Sequence, residues 1–258
     1  MGYTGSKEAA SVLIDGLTSL EYRGYDSAGI SVLGASNIPV ISKTAGKLVR
    51  LKEILNGSMP EGTTGIGHTR WATHGEPTKL NSHPHGDCAN EIIVVHNGIV
   101  ENYLELKTEL ISSGHSLVSE TDSEIIPHLI EAHMKPRRPL IEAVRLAAKR
   151  IKGANAVAIM SARHKGDIVA FRLGNAGGIV VGYGEKEMLV ASDLPGVPEL
   201  RLWLLDPDNL DQAFSSEETR RILEDPPYWG FCWGSGLALA RWILDHPQEV
   251  RGKRVLDF

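Results

Sequence analysis

What most limits the folds open to this chain is the order in which its helical and strand-like segments follow one another. Residues 6–20 place Ala9, Leu13, Leu17 and Leu20 at three- and four-residue spacing behind Ser6, which predicts an amphipathic helix capped by that serine. Short β-like runs follow at 29–33 and 39–42, then a helical stretch at 47–55. The run 92–95 is apolar and β-branched, and the turn-prone pair Asn97-Gly98 is expected to end it. A helix from about residue 101 should stop at Gly114, and Thr121-Asp122-Ser123-Glu124 has the capping-box form that opens another. After a helix at 140–151 come four strand-like runs, 156–160, 168–171, 179–182 and 189–191. Helix, strands, helices and then short strands with tight turns is an α+β pattern. The strict alternation that builds a parallel sheet is missing.

Charge and cysteine usage narrow the function classes. A formal net charge of -5 supplies no excess of Lys and Arg to replace counterions, so nucleic acid is not an expected partner. No uncharged apolar run approaches the length that spans a bilayer, so no membrane is expected either. Cys88 and Cys232 are far apart, which points to a reducing compartment and a cytoplasmic location rather than a disulfide framework. The character of the chain changes near residue 195: four of its five tryptophans (Trp203, Trp229, Trp233, Trp242) lie beyond it, with a cluster of prolines. Two pieces are therefore expected, 1–194 and 195–258.

Four segments of the first piece set polar or glycine-containing turns beside apolar runs, as loops do when a scaffold presents functional groups. They are LEYRGYDSAGI (20–30), GHTRWATHGEPT (67–78), VVHNGIVENY (94–103) and SETDSE (119–124). Singly, each has a plain structural reading. Asn97-Gly98 reads as a hairpin turn, Asp122 as a helix-start charge, and Arg70 beside Trp71 as a stacked surface pair. His68, His74, His83 and His85 fit no compact zinc spacing and have no cysteine among them, so no metal is expected. Cys88, in a polar turn after His85-Gly86-Asp87, carries no expected role.

Together, in this order and at these separations, the four segments resemble the glutaminase domain of the class II glutamine amidotransferases of the glutamine–fructose-6-phosphate aminotransferase type. The resemblance runs from Gly2 to about Asp193. It implies an N-terminal-nucleophile hydrolase fold, an αββα sandwich of two stacked antiparallel sheets between layers of helices. It also implies glutamine as the small-molecule substrate, no cofactor, and ammonia supplied to aminosugar synthesis. By the same resemblance, the Asn97 side-chain amide and the Gly98 backbone N–H form an oxyanion hole. Arg70 clamps the substrate α-carboxylate, with Thr73 and His74 in the same loop, Asp122 takes the α-ammonium, and Trp71 is the aromatic lid. Arg23 falls near the nucleophile's position, with its role left open.

The family's nucleophile is an N-terminal cysteine whose α-amine, with a pKa of about 7.7–8.0, serves as its base. The family pattern opens Cys-Gly-Ile-Val, whereas this sequence opens Met1-Gly2-Tyr3-Thr4-Gly5. The expectation is a domain lacking its first residues and a glutamine pocket without turnover. The parent's isomerase half is likewise expected to be absent. Residues 226–258 resemble the entry to a class I protein-lysine methyltransferase. The sequence stops at Phe258, before the Gly-rich loop that holds S-adenosylmethionine, so an incomplete α/β segment without a cofactor is expected there.

Overall fold

The computed structural model describes residues 1–196, except 35 and 72–74, together with Arg201 and Leu202. In chain order the elements are β1 (Gly2–Thr4), α1 (Ala9–Leu20), β2 (Ser27–Leu33), β3 (Pro39–Ala45), α2 (Leu48–Leu55), β4 (Thr64–Arg70), β5 (His85–Gly86) and β6 (Ile92–Gly98). Then come α3 (Tyr103–Ser112), α4 (Ile125–His133), α5 (Leu140–Ala148), β7 (Asn155–Ser161), β8 (Ile168–Leu173), β9 (Val180–Gly184), β10 (Glu187–Ala191) and β11 (Arg201–Leu202). A 3₁₀ turn, Asp122–Glu124, leads directly into α4.

The strands form two antiparallel sheets, ordered β11-β9-β10-β1-β4-β2-β3 and β5-β6-β7-β8. Alternation of side chains along each strand assigns its two faces. On β2, Ala28, Ile30 and Val32 join α1 and α2 in one core, with Leu13, Leu17, Leu48 and Leu51. On β7, Val157 and Ile159 join α3, α4 and α5 in another, with Leu106, Ile126 and Val144. The opposite faces meet between the sheets, where Leu33 and Ile66 pack with Ile93, Val95, Ala158 and Met160. The result is an α+β sandwich of four layers, helices outside and two sheets within, of the N-terminal-nucleophile hydrolase kind.

Several local expectations change. Ser6 does not cap α1, whose N-cap position is Glu8 with no side-chain cap. The Ala9 amide donates instead to the Gly62 carbonyl at 2.8 Å, and the Glu8 carboxylate accepts from the Gly62 amide at 3.2 Å. A tertiary partner thus satisfies an amide that a cap would otherwise serve. Ser6→Ala is therefore expected to change stability by less than about 0.5 kcal/mol, against about 1 kcal/mol for a lost cap, as thermal melting would read.

Asn97-Gly98 is not a hairpin turn. β6 continues through both residues, pairing Asn97 with Ala156 and Gly98 with Asn155 on β7. Thr121 makes no cap either, because the Glu124 carboxylate turns back to the Val118 and Ser119 amides at 2.8 and 2.6 Å. No helix among the described residues is long and apolar enough to cross a membrane. β11 extends the larger sheet beyond residue 194, within a compact unit of residues 1–203. Apart from residues 195, 196, 201 and 202, the segment read as methyltransferase-like lies outside the described residues.

Candidate functional site

Two strand ends and one helix start converge on a pocket. β4 delivers His68, Thr69 and Arg70, with Trp71 just beyond, and β6 delivers His96, Asn97 and Gly98. The 3₁₀ turn before α4 delivers Asp122 and Ser123, and Met1 reaches the pocket from the start of β1. The cavity holds about 230 Å³. That is below the roughly 300–1,000 Å³ usual for small-molecule sites, so a ligand of amino-acid size suits it better than a nucleotide.

A buried polar frame orients the rim. The Asn97 Oδ1 lies 2.9 Å from His68 Nε2, and since a carbonyl oxygen only accepts, the imidazole must donate from Nε2. That leaves the Asn97 amide NH₂ directed away from His68 as a donor. Burial, reinforced by nearby positive groups, pushes the His68 pKa down to about 3, so the ring stays neutral. His96 follows the same logic: Nε2 donates to Asn155 Oδ1 at 2.9 Å, and Nδ1 at 2.8 Å accepts from the Ser123 hydroxyl. Two strands and the helix start are thereby pinned together through one imidazole.

Gly98 sits at φ +133°, and a Cβ there would come within 2.1 Å of the Ala154 carbonyl oxygen. Asp122 is buried, and its Oδ2 accepts from the Val100 amide at 2.7 Å. Arg70 is buried too, and its guanidinium donates to the Gly75 carbonyl at 3.2 Å. The surface-stack reading of Arg70 and Trp71 is corrected here. Trp71 is 62% exposed at the mouth and packs on Tyr25, with ring centroids 5.6 Å apart. Arg23 also lines the pocket and pairs with Asp193 at 3.0 Å.

A family model described as a glutamine amidotransferase domain matches residues 68–197, half of the chain. The chain belongs to that family. It is 48% identical over 197 residues to a glutamine–fructose-6-phosphate aminotransferase [isomerizing] of Clostridium tetani, covering 76% of this chain and 32% of that protein. The enzyme of the same name from Thermococcus kodakarensis is 46% identical over 199 residues, covering 77% and 33%. The chain thus spans about a third of the length of these curated relatives. Among solved structures, a glutamine phosphoribosylpyrophosphate amidotransferase from B. subtilis superposes with a TM-score of 0.63 at 26% identity, covering 74% of this chain and 41% of that one. An allosteric regulatory enzyme of purine biosynthesis gives 0.64 at 27%, with the same coverage.

Of the residues singled out in the sequence, this amidotransferase domain brings Arg70, Trp71, Asn97, Gly98 and Asp122 to one pocket. Thr73 and His74 lie outside the described residues. His68, His83 and His85 form a buried ring stack, with centroids 4.3 and 4.7 Å apart. Sequence reasoning assigned no role to His96, Ser123 and Asn155, although His96 and Ser123 lie within two of the segments singled out.

Proposed function

We propose that residues 1–194 bind glutamine in this pocket as the glutaminase part of an aminosugar-forming enzyme. The reading rests on the convergence of Arg70, Asn97, Gly98 and Asp122 on one small cavity. Arg70 offers a planar cation for the α-carboxylate, and Asp122 an acceptor for the α-ammonium through a charge-assisted hydrogen bond. The Asn97 amide and the Gly98 N–H are the donors for an oxyanion, and one such donor is worth about 10²–10³ in rate. Trp71 at the mouth excludes water once glutamine is bound. Thr73 and His74 complete the same loop by resemblance. The names of relatives at 46–48% identity support release of ammonia toward fructose 6-phosphate, and glucosamine 6-phosphate as the product rests on the family resemblance.

By the same reading, these 258 residues taken alone hydrolyse glutamine slowly. The side chain that reaches the pocket from β1 is Met1, a thioether with no proton to lose, and no thiol is among the described residues that line the cavity. Loss of the nucleophile in comparable hydrolases costs about 10⁶ in rate.

Calorimetry on the 258-residue chain tests both parts. Glutamine should bind, and Arg70→Ala should weaken binding about 10- to 100-fold, as for one lost charge-assisted contact of about 1.5–3 kcal/mol. Glutamate release should stay at background. Equal affinity in the variant would remove Arg70 from the site, and turnover by the unaltered chain would overturn the inactive reading.

A further inference from the structure

We propose that Cys88, His115, His128 and Glu131 form a structural zinc site, separate from the glutamine pocket. The four residues are scattered in sequence. Cys88 lies in the turn between β5 and β6, His115 follows α3 directly after Gly114, and His128 and Glu131 share one face of α4 at i and i+3. Their donor atoms all lie within 4.8 Å of one another.

Four of the six donor-to-donor distances can be compared with the edges of a coordination tetrahedron. With Zn–S of about 2.3 Å and Zn–N or Zn–O of about 2.0–2.1 Å, tetrahedral angles place S and N about 3.5 Å apart and N and O about 3.3 Å apart. Cys88 Sγ lies 3.5 Å from His128 Nδ1 and 3.6 Å from His115 Nδ1. Glu131 Oε2 lies 3.4 Å from His128 Nδ1 and 2.9 Å from His115 Nδ1. Three of these four edges match within about 0.1 Å, and the fourth needs only a small opening.

The chemistry agrees with the geometry. One thiolate, two imidazoles and one carboxylate are a zinc donor set, and two anions neutralise the dication. On binding, the Cys88 thiol releases its proton to solvent as the S–Zn bond forms, while both histidines coordinate as neutral rings through Nδ1. Four protein ligands close the coordination shell, so the site is structural rather than catalytic. A carboxylate also stands near enough to His128 to support its ring after a small shift. The far nitrogen of His128, Nε2, is buried without a hydrogen-bond partner and lies 3.8 Å from Glu124 Oε1. A carboxylate behind a ligating imidazole is the usual way its ring is oriented and made more basic. Cys88 is exposed, which leaves an entry path for the ion.

Bound zinc would tie the β5–β6 turn and the end of α3 to α4, the helix that the 3₁₀ turn carrying Asp122 leads into. The four ligands escape sequence reading because no two of them show a zinc-ligand spacing. Only folding brings Cys88 to the helix face of His128 and Glu131.

The test uses the full chain with Zn²⁺ or Co²⁺ added to metal-free protein. One zinc per chain is expected, with a rise in melting temperature. Co²⁺ should give the thiolate-to-cobalt charge-transfer absorption of a tetrahedral site. Cys88→Ser should abolish that absorption and the thermal shift, and Glu131→Gln should lose at least about tenfold in affinity. Zn²⁺ should also protect Cys88 from alkylation in the unaltered chain, mapped by peptide mass, a readout that needs no variant. No thiolate band with Co²⁺, an unchanged zinc stoichiometry in Cys88→Ser, or unprotected Cys88 would each overturn the site. The four side chains would then form a hydrogen-bonded cluster without metal.

Discussion

Gly98→Ala is expected to lose most of the stability of the amidotransferase domain, about 2–6 kcal/mol. Two separate terms add at this position. The backbone stands at φ +133°, which strains any L side chain by about 1–3 kcal/mol. The new Cβ would also lie 2.1 Å from the Ala154 carbonyl oxygen and 2.9 Å from the Asn155 Cα, both backbone atoms of the adjoining chain. Overpacking against atoms that cannot rotate away typically costs another roughly 1–3 kcal/mol. Domains are stable by only about 5–15 kcal/mol, so urea unfolding should show a large loss or no folded baseline at all. Gly114→Ala is the matched control: its φ is +92°, but nothing lies within 4 Å of the added methyl. It should show the strain alone. Equal losses in the two variants would mean that the close approach of Gly98 to β7 does not exist, and with it the placement of the proposed oxyanion donor.

Gly98 also illustrates how the sequence was legible and where it was not. Asn-Gly after an apolar run is a turn signal, because both residues tolerate a positive φ. Here the glycine serves close backbone approach inside a ladder, and sequence cannot distinguish the two uses. Most helices and seven of the longer strands could be read in outline, since Leu13 and Leu17, or Ile92 to Val95, carry their own periodicity. β4 could not. Its segment Thr64-Gly65-Ile66-Gly67-His68-Thr69-Arg70 has one aliphatic side chain, yet it lies between β1 and β2 in the larger sheet. The reason is α1, which packs directly on it: a Cβ at Gly65 would come within 2.9 Å of Leu13, and one at Gly67 within 3.0 Å of Leu17. Glycine there makes room for a helix, and such a requirement leaves no hydrophobic pattern. The pocket followed a similar division. Arg70, Asn97 and Asp122 were visible through motif order, whereas the imidazole frame of His68 and His96 emerged only from hydrogen bonds between distant strands.

That imidazole frame makes the domain acid-sensitive, and the effect should be large. His68, His83, His85 and His96 are all buried, and desolvation pushes each ring's pKa below the ordinary 6.5, to about 3 for His68 and well below normal for His83 and His85. His96 is also lowered by burial, against the opposing pull of Asp122. Above about pH 6.5 the rings are neutral in both the folded and the unfolded chain and contribute nothing to the pH dependence. Below it, the unfolded chain takes up protons that the folded chain refuses, so stability falls with pH. Each such histidine costs up to about 1.4 kcal/mol per pH unit, and the costs of several add. Carboxylates act mostly below about pH 5, and burial lowers the Met1 amine from 8.0 to about 5, so the window from about 6.5 to about 5 belongs to these rings together with that amine. Urea midpoints across that window should drop steeply, with an uptake of several protons on unfolding. The ring resonances of His68, His83 and His85 should not titrate in the folded protein across this window. A midpoint that stays flat from about pH 7 to about pH 5 would show that the rings accept protons in place, and the close packing of His68 against His83 would have to be abandoned.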